Sequence, residues 1–163
     1  MNPKPTLLAD LGATNARFAV TLDGLSYQDS KELKISEYNS INSLCDAYLT
    51  SVHSSGIKRA VIGVAAPVIG DVITFVNCDL EFSQSELKSS FFSEGLRVIN
   101  DLALQAHAIN SLEVDDLETL GGNFTEATGP KILVMPGTGL GMAGIVNQEV
   151  VSTEAGHLNI PAK

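Results

Sequence analysis

The stretch from Arg59 to Ala66, RAVIGVAA, does most to restrict how this chain can fold. It is apolar almost throughout. A strand with one wet face alternates apolar and polar residues, whereas a strand buried on both faces does not. Such strands belong to parallel sheets packed under helices, so the run predicts an α/β domain. Its surroundings agree. Thr6–Asp10, Ala16–Leu22 and Tyr27–Ile35 read as strands, the third polar enough to lie near a sheet edge. Ile41, Leu44, Cys45, Tyr48, Leu49 and Val52 then recur at helical spacing, with Asn39 or Ser40 to cap the start and Gly56 to end the helix. Pro67 and Gly70-Asp71 make a turn before a shorter strand, VITFVN. Ser83 and Glu86 have capping-box spacing for a helix to about Phe92, which Gly95 ends. Leu96–Ile99 is a strand and Asp101–Ile109 a helix. The expected product is a mixed sheet covered on both faces. That domain closes near residue 112. Residues 113–130, acidic and then Gly/Thr-rich, read as a connection. Residues 131–163 open with KILVMPGTGLGMAGIVNQEVVS: a strand, a glycine turn and a strand that continues through Ile145–Val151.

Charge narrows the function. The chain has 10 basic against 19 acidic residues and a net charge of −9, with no Lys/Arg cluster, so nucleic acid and anionic membrane are not expected partners. Any phosphate site must work through local donors and a metal. Hydrophobic residues make up 44% of the chain and charged ones 18%, enough apolar material for a globular core. Cys45 and Cys78 are isolated in sequence and fit idle thiols in a reducing, cytoplasmic setting better than a disulfide framework. No signal peptide is expected, since Asp10 interrupts the first apolar run. The longest uncharged run, Ile132–Asn147, holds Pro136 and four glycines and is too short and broken to span a bilayer.

The segment LLADLGATNARFAV poses a conflict. Gly12, Thr14 and Asn15 make a turn between two strands, and its tip offers hydrogen-bond donors suited to an anion. Asp10 beside it would repel that anion. A divalent cation between Asp10 and a polyphosphate removes the conflict, held through water as Mg²⁺ prefers. The plain alternative is an ordinary hairpin with an aspartate closing a strand. The Gly137-Thr138-Gly139 turn repeats the pattern late in the chain. Two such tips suggest a duplicated unit gripping one polyphosphate from two sides. Gly139–Gly144 matches the dinucleotide fingerprint G-x-G-x-x-G, but strand-like residues follow where a helix should start. No P-loop exists. Glu154 and His157 have the E-x-x-H spacing of a bundle metal site, which Gly156 makes a poor helix. The three histidines are far apart, so no zinc cluster is expected; His53 is placed on the polar side of its helix and His107 packed within its own.

Asn100 and Asp101 sit where the strand LRVI meets a helix, at the carboxyl end where open α/β sheets bind ligands. Either residue would also cap the helix. If the phosphate hairpin leaves the same sheet edge, Asp101 can accept a proton from a hydroxyl attacking a γ-phosphate.

The motifs DLGATNARFAV, APVIGD, VNCDLEFS, VINDLALQA, PGTGLGMAGIV and EAGHLNIPA occur in an order that resembles the bacterial ATP-dependent glucokinases of the hexokinase-like, actin-fold superfamily. The chain lacks the cysteine-rich zinc motif of the repressor-related sugar kinases. The resemblance implies a ribonuclease-H-like, actin-like ATPase lobe with a mixed five-stranded sheet flanked by helices, plus the first strands of a second lobe. It implies ATP and Mg²⁺ as cofactors and glucose as substrate. It assigns the ATP phosphates to Ala9, Asp10, Leu11, Gly12, Ala13, Thr14 and Asn15 and to Gly137, Thr138 and Gly139. Asp10 also takes Mg²⁺ through water. Asp101 matches the catalytic base, and Asn77, Asn100, Asp101, Glu154 and His157 match groups around glucose. Ala13 replaces a frequent second glycine, which is tolerable if its φ stays negative. Family members are longer, so the chain reads as a truncated portion, expected to be inactive alone and to associate or swap through exposed strand edges. Two alternatives stay open: a kinase for another hexose, and an actin-like or regulatory nucleotide-binding module without sugar kinase activity.

Overall fold

The computed structural model describes residues 4–75, 80–109, 111–121, 129–136 and 140–153. Two compact units divide the chain between Asp101 and Leu102.

The first unit is a five-stranded sheet ordered β3-β2-β1-β4-β7. Its strands are β1 (Thr6–Leu11), β2 (Asn15–Thr21), β3 (Gln28–Lys34), β4 (Arg59–Val64) and β7 (Gly95–Asn100). β1, β2 and β3 form an antiparallel meander, while β1, β4 and β7 run parallel. The mixed sheet with RAVIGV at its parallel centre is therefore as the sequence predicts. Alternation decides which side is core. Leu7, Ala9 and Leu11 of β1, Ala16, Phe18 and Val20 of β2, and Ala60, Ile62 and Val64 of β4 are all buried. Helices α1 (Ile41–Ser51) and α2 (Gln84–Ser90) join that same cluster through Ile41, Leu44, Cys45, Tyr48 and Leu87. Both helices lie on one side, and Leu8, Asp10 and Val61 on the other are only half-buried.

Several local expectations also shift. Ser40 caps α1 with a reciprocal pair of bonds to Ser43. The helix stops at Ser51, not at Gly56, because Val52 turns extended and Lys31 Nζ reaches across from β3 to the Ser51 carbonyl at 2.9 Å. Gly56, with φ 72°, lies in the following loop. Ser83 Oγ accepts the Glu86 N–H at 3.1 Å, but only that half of the capping box forms. Asp71 supplies the rest, accepting from Ser83 Oγ and from the Ser85 N–H. The strand VITFVN shortens to β5 (Val72–Thr74). It pairs with β6 (Glu81–Ser83), a strand too short to leave a signal. His53 lies beyond the end of α1, and His107 is exposed rather than packed. Cys45 is buried, and desolvation pushes its thiol up to about 12, so it is an inert core residue. Cys78 lies outside the described residues.

The second unit holds α3 (Asp101–Ile109) from Leu102 onward and a three-stranded antiparallel sheet of β8 (Lys131–Pro136), β9 (Leu140–Val146) and β10 (Glu149–Ser152). Ala106 of α3 packs with Ala143 and Ile145, against Leu102, Ile109, Leu133 and Val150. That packing is why α3 from Leu102 onward belongs to the second unit. Gly141 permits a close approach, since a Cβ there would stand 2.5 Å from Leu102 Cδ1. No helix among the described residues is long and apolar enough to cross a membrane.

Ile145–Val151 is not one strand, as the sequence suggests, but two joined by a tight turn. Asn147 and Gln148 have φ of 51° and 69°, so both central residues are left-handed, as in a type I′ hairpin. Asparagine tolerates this and glutamine does not. Gln148→Gly is expected to stabilise the second unit by about 1 kcal/mol. The gain is read as a higher urea midpoint at unchanged m-value.

Candidate functional site

The parallel ladder fixes where the candidate residues emerge. Leu11 of β1 is level with Val64 of β4, and Val64 with Asn100 of β7. Adjacent strands lie about 4.8 Å apart, which puts Leu11 and Asn100 about 10 Å from each other. The Gly12–Asn15 turn and the Asn100–Asp101 junction therefore leave the same edge of the sheet, at the carboxyl ends of its parallel strands. Ligands of open α/β sheets bind at such an edge. A second depression, lined by Leu22, Gln28, Asp29, His53 and Ser54, lies at the opposite rim. There the Ser54 hydroxyl is already engaged with Asp29 at 2.7 Å and Gln28 at 3.1 Å.

The hairpin is held by its own backbone. Gly12 N–H donates to the Asn15 carbonyl at 3.1 Å, closing the turn. The Leu11 carbonyl accepts from Ala65, and the Thr14 carbonyl accepts from Ile35. These bonds tie the tip to the chain after β4 and after β3. A Cβ on Gly12 would sit 3.2 Å from the Asn15 carbonyl, so a side chain there would push the turn open. The Gly12 N–H is thus committed within the turn. Ala9 and Leu11 direct their side chains into the core, which leaves them only backbone to offer a ligand. Ala13 is not among the left-handed residues, so it stands in for glycine without strain. The Thr14 residue is exposed, and Asn15 and Ala13 are half-buried.

Asp10 is not alone, and the sequence reading missed its neighbour. Asp10 is paired in register with Arg17, and Arg17 with Glu32. Arg17 Nη1 lies 3.5 Å from Asp10 Oδ2, and its Nε donates to Glu32 Oε2 at 2.9 Å. Glu32 first, and Asp10 second, hold the guanidinium still more firmly protonated than usual. The signal was present: Asp10 and Arg17 are equidistant from the centre of the Gly12–Asn15 turn, so a tight hairpin must set them opposite each other. On the other flank of Asp10 is Gly63 of β4, which puts no side chain beside the carboxylate.

This donor set fits a water-mediated Mg²⁺. A single half-exposed carboxylate at a sheet edge suits a hydrated hard cation. Among the described residues no group of three or more His, Cys, Asp or Glu side chains could cage an ion directly. The contact to Arg17 is long and solvated, hence weak and exchangeable.

Asn100 Nδ2 donates to the Ala66 carbonyl at 3.3 Å, which braces the end of β7 against the chain leaving β4. Asp101 is the first residue of α3 and half-buried. An acid in the first turn also suits the helix dipole. Asn77, Gly137, Thr138, Gly139, Glu154 and His157 lie outside the described residues. What is seen of the second hairpin is the antiparallel pairing of β8 with β9, up to Pro136 opposite Leu140. β9 also disposes of the dinucleotide fingerprint, because a strand stands where that motif needs a helix.

Comparison with known proteins adds an independent line. The family model described as Glucokinase matches residues 7–163. A glucokinase of Ralstonia nicotianae is 36% identical, over 94% of this chain and 48% of the relative. The crystal structure of a glucokinase from an Antarctic psychrotroph superposes with a TM-score of 0.82 at 30% identity, covering 98% of this chain and 53% of that one. The structure of a Balamuthia mandrillaris glucokinase in complex with glucose shares the fold, with a TM-score of 0.72 at 24% identity, covering 98% of this chain and 50% of that one. The chain spans about half the length of the curated relatives it matches.

Proposed function

This chain belongs to the glucokinase family, and from that premise we propose that the protein carrying it transfers the γ-phosphate of ATP to the 6-hydroxyl of glucose. The observation that carries this reading is the shared edge: phosphate hairpin and Asp101 emerge from one rim, two strands apart. In this reading Asp101 takes the proton of the attacking hydroxyl as the P–O bond forms. A carboxylate cannot ionise an alcohol in the ground state, but it can receive the proton in the transition state. The Gly12–Asn15 turn binds phosphate, and the family resemblance assigns Gly137, Thr138 and Gly139 to phosphate as well. Asp10 would hold Mg²⁺ through water, and the ion when bound neutralises phosphate charge. Asn100 braces the rim and, with Asn77, Glu154 and His157, binds sugar hydroxyls. Polar groups that pair with a sugar hydroxyl discriminate against an analogue that lacks it. The glucose complex of the Balamuthia protein supports the choice of sugar. A cytoplasmic location, where ATP and free thiols coexist, fits this role.

The test is a coupled assay on the longest reading frame that contains these residues, with MgATP and glucose, mannose or fructose. The expected result is ADP release dependent on sugar, with the highest kcat/KM for glucose. ATP turnover or filament formation indifferent to every sugar would overturn the reading in favour of a nucleotide-binding module.

A further inference from the structure

Asp10, Arg17 and Glu32 form one row across three strands, an acid–base–acid series on the half-exposed face of the sheet. The two contacts of Arg17 are unequal. The bond to Glu32, at 2.9 Å, is a proper charge-assisted hydrogen bond, whereas the approach to Asp10, at 3.5 Å, is at the limit of one. Glu32 holds Nε, the nitrogen nearest the stem, and so limits how far the guanidinium can swing toward β1. Gly63 on the other side of Asp10 provides no competing side chain. Among the described residues Asp10 therefore has one cation beside it, Arg17, and that cation is restrained by a residue two strands away in the same row.

We propose that Glu32 is a positioning residue for the phosphate hairpin: by gripping Arg17 it keeps the guanidinium from closing onto Asp10, so that a hydrated divalent cation can take the carboxylate. This rests on the reading of Asp10 as the metal carboxylate. Without Glu32 the guanidinium is free to form a two-pronged pair with Asp10, the geometry that planar guanidinium and carboxylate favour. The metal must then displace a tighter partner. With Glu32 in place, Arg17 stays near enough to offset the charge of the empty carboxylate and loose enough to give way. The device needs nothing from the adenosine or sugar sites. It acts only on the competition between two cations for one carboxylate.

The experiment measures Mn²⁺ binding by water-proton relaxation, with a non-hydrolysable ATP analogue present. It uses the longest reading frame containing this chain and the variants Asp10→Asn, Glu32→Gln, Arg17→Met and Arg17→Met/Glu32→Gln. The proposal expects Glu32→Gln to weaken Mn²⁺ binding by about two- to five-fold, the size that an exposed charge pair supports. It expects the effect to vanish in the Arg17→Met background and to shrink at high salt. A loss of equal size with and without Arg17 would mean that Glu32 acts only through its charge, and the proposal falls. Unchanged binding in Glu32→Gln also overturns it. Asp10→Asn separates the two levels: if Mn²⁺ binding survives that change, the metal role of Asp10 fails and takes this inference with it. If Asp10→Asn is deficient and Glu32→Gln is normal, only the role of Glu32 is lost.

Discussion

If the proposed reaction holds, Asp101→Ala in the longest reading frame that contains this chain is expected to lower kcat by about 10²–10⁴-fold while the protein stays folded. The size follows from what the residue is proposed to do. Phosphoryl transfer owes most of its acceleration to alignment and charge stabilisation, which the hairpins and metal retain when the base is lost. Removing the proton acceptor costs only the general-base share. Asp101→Asn keeps the volume and the polar shape but cannot take the proton, so it should lose a similar factor. The rival role for Asp101 is structural. As the first residue of α3 it favours the helix dipole, a contribution of about 0.3–1 kcal/mol. The two roles predict opposite patterns. If Asp101 only starts the helix, Asp101→Ala lowers the urea midpoint and leaves kcat within a few-fold. If it is the base, kcat collapses and the midpoint barely moves. Steady-state kinetics and urea unfolding on one preparation of each variant decide between them.

The largest expected effect on stability is at Phe18. Its side chain is 2% exposed on β2, and its ring stacks on Tyr48 of α1 with centroids 4.8 Å apart and planes 19° from parallel. Phe18→Ala removes a large buried ring and leaves a cavity between sheet and helix that neither can close. The expected cost is about 3–5 kcal/mol, a large share of the stability of an ordinary domain. With an m-value near 2 kcal/mol/M, the urea midpoint should fall by about 2 M. Tyr48 has little room to follow. Its hydroxyl donates to the Asp29 carbonyl at 2.9 Å, and burial, helped by Asp29, pushes its phenol up to about 12. Asp29 itself carries a left-handed φ of 54°, where the pairing of β2 with β3 shifts register. The Tyr48 hydroxyl thus joins the helix to a bulged edge strand. A midpoint change under 0.5 M would mean that the sheet can settle onto α1, contrary to the packing seen here.

How much of this could be read from the residues varies with the range of the interaction. β7 and α3 were legible to within a residue, because Leu96, Val98 and Ile99 make a short, largely apolar run after Gly95 and Asp101–Ile109 is rich in Ala and Leu. The parallel centre was legible for the same reason, RAVIGVAA having no polar alternation. β6 was not, because three residues carry no period and its partner β5 is nine positions upstream of Ser83 at its nearest end. The end of α1 was misplaced at Gly56, since the group that satisfies the Ser51 carbonyl, Lys31, comes from another strand. Tertiary partners override local punctuation in that way. In the site, Asp10 and Asp101 could be found as single residues at strand ends. Arg17 was within reach as well, since the Gly12–Asn15 turn sets it opposite Asp10, but Glu32 was not, because it depends on the register of β2 with β3, which shifts at a bulge.

The flush ending of β1, β4 and β7 has a consequence for how this lineage can vary. The gap between Gly12 and Asp101 is set by hydrogen-bond rungs, as the marks on a ruler are set, rather than by the stiffness of any loop. Deleting or inserting one residue inside 59–64 or 95–100 would turn every side chain beyond it to the wrong side and move the rim out of line. The segments at the far margin, 22–27 and 52–58, carry no such restriction. Length polymorphism should accumulate there, while the working margin keeps its dimensions even as its amino acids change.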